Sequence, residues 1–85
     1  MEKFEQFVDL DEQETYINID YASNEVVVYT NRATVMNRMV KAGYNPSDLY
    51  YEQENVCGAS WTFPISMIGK FARTGIFGYA SSQGK

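Results

Sequence analysis

The residue types that most often do chemistry are scarce in this chain. Its 85 residues contain no histidine and a single cysteine, Cys57. Histidine is the usual general base and the commonest zinc ligand. A serine or cysteine hydrolase therefore lacks its base, and a structural zinc site lacks its donors. Asp9, Asp11, Gln13 and Asp20 match a calcium-binding loop in spacing. However, Glu14 stands where such a loop needs its turn glycine, and the closing ligand is Asp rather than Glu. These acids read as a solvated acidic segment. Gly69-Lys70 precedes Phe71 rather than Ser or Thr, and no glycine lies five residues before Gly69, so a phosphate loop fails twice. A carboxylate nuclease site wants Glu-x-Lys on the strand after its first acid, and Glu25-Val26-Val27 has no Lys. Cys57 has no cationic neighbour in sequence and reads as a small buried hydrophobe. The expectation is a protein that is not an enzyme and holds no metal or cofactor.

Binding is the remaining chemistry, and charge is its best guide. Seven Lys+Arg against eleven Asp+Glu give a net charge of -4. Residues 1–25 hold eight acids and one base, whereas residues 26–47 hold Arg32, Arg38 and Lys41 and no acid. Residues 48–54 add Asp48, Glu52 and Glu54, and residues 55–85 add Lys70, Arg73 and Lys85 with no acid. Such segregation suits an acidic surface meeting a basic protein surface. The net charge of -4 argues against direct nucleic-acid binding, which rests on cationic contacts to phosphate. Gly75-Ile76-Phe77-Gly78-Tyr79 has the aromatic–glycine–aromatic order of an RNA-recognition strand, but no basic residue leads it.

The elements that must position these residues follow from periodicity. No internal repeat or low-complexity run appears. Thr15 to Tyr21 alternates, with Thr15, Ile17, Ile19 and Tyr21 on one face and Tyr16, Asn18 and Asp20 on the other. Ala22-Ser23-Asn24-Glu25 is a turn in which Asn24 tolerates a left-handed backbone. Val26 to Thr30 returns as a second strand. Pairing Tyr21 with Val26 sets Ile19 opposite Val28 inside and Asn18 opposite Tyr29 outside. Thr30 or Asn31 caps a helix from Arg32 to Ala42, stopped by Gly43. Its stripe of Val35, Met36, Met39 and Val40 is core, and Arg32 falls along that stripe, where Asp20 or Glu14, or an anion outside the protein, would pair with it. Leu49 to Gln53 and Val56 to Phe63 read as third and fourth strands, with Gly58 weakening the last. Ile65, Ile68 and Phe71 then dock as a covering segment. Phe4, Phe7 and Val8 suit a short amphipathic turn, or the first residues form a loose acidic arm.

The fold expected is α+β: an antiparallel β-hairpin followed by one α-helix packed on a small three- to four-stranded sheet. Residues 1–13 form an acidic N-terminal arm, 14–72 one domain and 73–85 a C-terminal tail whose last five residues are disordered. Ile17, Ile19, Val28, Val35, Met36, Met39 and Trp61 should be buried. Eighty-five residues bury a thin core, which thirteen aromatics help to fill. No apolar run approaches the roughly 18 residues of a membrane span, and no signal-peptide pattern opens the chain. A soluble cytoplasmic protein without a membrane partner is expected.

Glu14-Thr15-Tyr16-Ile17-Asn18-Ile19-Asp20, Val28-Tyr29-Thr30, the helix from Val35 to Lys41 and Trp61-Thr62-Phe63-Pro64 occur in one order. Together, across about residues 14–68, they resemble a loose group of very short proteins from phages and prophages of Gram-positive bacteria. In size, charge and lack of catalytic motifs the chain is similar to anti-CRISPR proteins. The resemblance implies an inhibitor of a host defence nuclease, a CRISPR effector or similar, acting in the cytoplasm of the host bacterial cell. It assigns no residue. From charge and alternation, the expected partner-binding surface is Glu14, Tyr16, Asp20, Glu25 and Tyr29, with the tyrosines as anchors or as cross-strand packing. The alternative is a small nucleic-acid-binding accessory protein with Arg38, Lys41, Lys70 and Arg73 on phosphates. An exposed hairpin edge equally supports a homodimer.

Overall fold

β-Branched and aromatic residues dominate the first hairpin of this chain, and these are the types that fit a pleated, half-buried surface. The computed structural model describes residues 4–76. It contains β1 (Thr15–Asp20), β2 (Glu25–Thr30), α1 (Ala33–Lys41), β3 (Asp48–Glu52), β4 (Asn55–Pro64) and α2 (Ile68–Ala72). Short 3-10 turns lie at Leu10–Glu12 and Ile65–Met67. The strands form one antiparallel sheet in the order β1-β2-β4-β3, so the α+β class expected from sequence is the one observed. The expected disordered residues, and Phe77 to Tyr79 of the glycine–aromatic segment, lie outside the described residues.

The core lies on one side of the sheet. Val26 and Val28 of β2 and Ala59, Trp61 and Phe63 of β4 meet Ala33, Val35, Met36 and Met39 of α1 and Phe71 of α2. Phe63 and Phe71 pack with centroids 5.2 Å apart and planes tilted by 43°, and Tyr44 closes the cluster at 5.8 Å from Phe71. The Trp61 indole donates to the Tyr44 carbonyl at 3.0 Å, so its one polar group is satisfied. Five of the seven residues expected in the core are buried.

Ile17 and Ile19 are the other two, remaining 43% and 38% exposed. Helix α1 packs over β2 and β4. A helix is about 10 Å wide, whereas four strands span roughly 14 Å. Both edge strands therefore extend beyond it, and Leu49 and Tyr51 on β3 are exposed in the same way.

The hairpin register also differs from expectation. Ile19 pairs with Val26, Ile17 with Val28 and Tyr16 with Tyr29, a slip of two residues that leaves every side chain on its expected face. The loop is Tyr21–Asn24, closed by Asn24 N–H donating to the Tyr21 carbonyl. Asn24 takes the left-handed conformation at φ 61°. The Asp20 carboxylate accepts the Ala22 and Ser23 N–H groups at 3.0 and 3.3 Å, a side-chain turn that fixes the loop.

Helix α1 begins one residue later than expected. Arg32 is its cap residue, exposed rather than on the buried stripe. Among the described residues it pairs with neither Asp20 nor Glu14. Thr30, one of the two caps expected, accepts Arg32 N–H on its Oγ1 at 3.1 Å, and Gln6 Oε1 also accepts Ala33 N–H at 2.7 Å. The helix ends at Gly43, φ 99°, with Gly43 N–H on the Val40 carbonyl and Tyr44 N–H on that of Met39. This is the paired closure that a left-handed glycine allows.

The N-terminal arm is tied to this helix. Asn37 accepts Phe4 N–H at 2.7 Å and donates to the Phe4 carbonyl at 3.0 Å. Asn31 accepts Glu14 N–H and donates to the Glu12 carbonyl. The packed unit thus takes in Phe4 and Ile76, both outside residues 14–72.

Candidate docking face

Alternation along each strand places one set of side chains on the core and the other on the uncovered side of the sheet. That open face is read row by row across the strands. Tyr16 pairs with Tyr29, Tyr29 with Ser60 and Ser60 with Asp48, which makes one row spanning all four strands. Beyond it lie Asn18, Val27 and Thr62, then Asp20, Glu25 and Pro64. On the other side, Tyr50 pairs with Gly58, and Glu14 and Glu52 continue the alternation of Tyr16 and Tyr50.

Three tyrosines occupy the middle. Tyr16 stacks on Tyr29 with centroids 5.2 Å apart and planes 28° apart, and Tyr50 meets Tyr29 edge-on at 5.6 Å and 64°. Gly58 makes this possible: a Cβ there would lie 2.9 Å from the Tyr29 hydroxyl and 3.3 Å from the Thr30 carbonyl oxygen. Tyr29 therefore lies down over β4, a close approach that explains a glycine in the middle of a central strand. The Tyr50 hydroxyl shares a hydrogen bond with Ser60 Oγ at 3.2 Å. A β-bulge between Tyr50 and Tyr51 leaves Cys57 half-buried beside this group. Burial pushes the Tyr29 phenol above its ordinary pKa, and the neighbouring Cys57, Glu14, Tyr16 and Tyr50 push it further.

All five residues expected to bind a partner lie on this one face. Tyr16, Asp20 and Glu25 are exposed, Tyr29 is half-buried as the floor, and Glu14 is rooted by backbone hydrogen bonds to Asn31. Asp20 and Glu25 sit directly opposite each other, an unfavourable like-charge pair. Asp48, Tyr50 and Glu52 were not singled out from the sequence, yet they complete the face. Their own alternation was the available signal, but β3 pairs only with β4 and so joins the hairpin face through a strand between them.

The cations lie elsewhere. Arg38 and Lys41 are on α1, Lys70 is on α2 and Arg73 follows it; no described Lys or Arg is on a strand. Arg38 and Lys41 line a cleft with Ala42, Thr74, Gly75 and Ile76. There Arg38 donates to the Ile76 carbonyl at 3.1 Å, so it is already engaged with the chain's own backbone. Among the described residues no group of three or more His, Cys, Asp or Glu is placed to hold a metal ion, and no helix is long and apolar enough to cross a membrane. Comparison with protein-family models, curated proteins and solved structures finds no match to this chain.

Proposed function

We propose that this chain is a non-enzymatic inhibitor that lays its open sheet face on a basic protein surface and covers it. The observation carrying this reading is that the sheet face carries acids and no described cation. Glu14, Asp20, Glu25, Asp48 and Glu52 share the tyrosine-bearing face, while all five described cations lie off the sheet. An acidic face with aromatic anchors repels phosphate and attracts Arg- and Lys-rich protein. Nucleases hold their substrates on such surfaces. The resemblance to short phage proteins narrows the partner to a host defence nuclease of the CRISPR effector kind, met in the bacterial cytoplasm.

The test mixes the purified chain with such effectors and follows complex formation and nucleic-acid binding together. A stoichiometric complex that no longer binds its nucleic acid is expected. Glu25→Lys combined with Tyr16→Ala should break that complex while the domain stays folded. These positions are cleaner than Asp20, which holds the hairpin loop, or Tyr29, which packs on Gly58. A doubly substituted chain that still binds sinks the assignment of this face. Salt-sensitive binding to DNA or RNA without any protein partner sinks the inhibitor reading and moves the active surface to Arg38, Lys41, Lys70 and Arg73.

A further inference from the structure

Charge alone does not account for three tyrosines in contact at the centre of this face. We propose that Tyr16, Tyr29 and Tyr50 form a seat for one arginine side chain of the partner, an inference that rests on the open face being the docking surface.

The shape suits a flat cation. Tyr29 lies over Gly58, Tyr16 stacks on it at a 28° tilt while staying 52% exposed, and Tyr50 meets Tyr29 edge-on at 64° as a wall. A guanidinium is planar and weakly hydrated, and it stacks on aromatic faces while its N–H groups reach sideways. The acceptors for those N–H groups lie around the rings. Asp48 is in the same cross-strand row as Tyr29, and Glu14 flanks the same ring. A bidentate carboxylate pairing is open to arginine and closed to lysine, whose ammonium is compact and strongly hydrated. No described Lys or Arg lies on a strand of this face. The rings are held before binding by packing and by the Tyr50–Ser60 hydrogen bond, so little order remains to be imposed by a partner.

The probes are two short peptides of equal length and charge, one alternating Arg and Ser and the other Lys and Ser, titrated at low salt with the tyrosine ring resonances as readout. The arginine peptide should bind about tenfold more tightly. Tyr16→Phe should retain that preference, because the aromatic face survives. Tyr16→Leu and Tyr50→Leu should each reduce it several-fold while keeping the apolar cover. Equal affinity for the two peptides overturns the seat but leaves docking by charge standing. Failure of both peptides to bind overturns the seat and the docking reading together. Single-stranded oligonucleotide binding that Tyr16→Leu abolishes also overturns the seat, since the rings would then be stacking bases.

Discussion

Tyr29 is the residue on which the open face is built. Its ring is supported by Gly58, stacked by Tyr16 and met edge-on by Tyr50. Its phenol titrates above the ordinary value of 10.0, first through burial and then through Cys57, Glu14, Tyr16 and Tyr50. The folded state thus favours the neutral phenol. That contribution to stability is whole below the unfolded phenol's pKa of about 10 and is lost as pH rises through the higher folded value. An absorbance titration should show a phenol ionising above the ordinary value, and Tyr29→Phe should remove that step. Urea midpoints of the parent chain should fall more steeply above about pH 10 than those of Tyr29→Phe. If Tyr29→Phe removes no ionisation above the ordinary phenol value, the ring is not desolvated as described.

At the scale of elements, α1 depends on a side chain 27 residues before its first N–H. Gln6→Ala removes the acceptor at Ala33 and the donors to the Val8 and Asn31 carbonyls. It should cost about 1 kcal/mol, the usual value of a lost cap, read as a lower urea midpoint at unchanged slope. An unchanged midpoint would show that the arm leaves the helix end to water. This cap was not legible in the sequence, because local pattern points to Thr30 and Asn31 and cannot see a residue so far away. The faces of β1 and β2, by contrast, were legible, since alternation has a period of two. For the same reason the register was not: a slip of two residues keeps every face, and only the Asp20-held turn decides between the registers. Alternation also tells which face a residue takes but not whether anything covers it, hence Ile17 and Ile19. The candidate site was half legible. Glu14, Tyr16, Asp20, Glu25 and Tyr29 come together by parity, whereas Asp48, Tyr50 and Glu52 join only through the pairing of β3 with β4.

At the scale of the whole molecule, the sheet face carries acids and no described cation, the helices carry cations, and Glu5, Asp9, Asp11 and Glu12 lie on the N-terminal arm. Association with a basic partner should therefore slow by about tenfold or more as salt rises from ~0.05 to ~0.5 M, with dissociation changing far less. Stopped-flow mixing reads both rates, and a flat dependence would place the acids outside the interface. Sheet and helices taken together form a dipole with its negative end at the sheet. In the field of a positively charged surface it turns before it touches, and the torque brings the tyrosines forward. In the field of a polyanion it turns the other way and offers its helices. Two classes of macromolecule in one cell would thus meet opposite sides of the same protein, sorted by orientation before any contact is made.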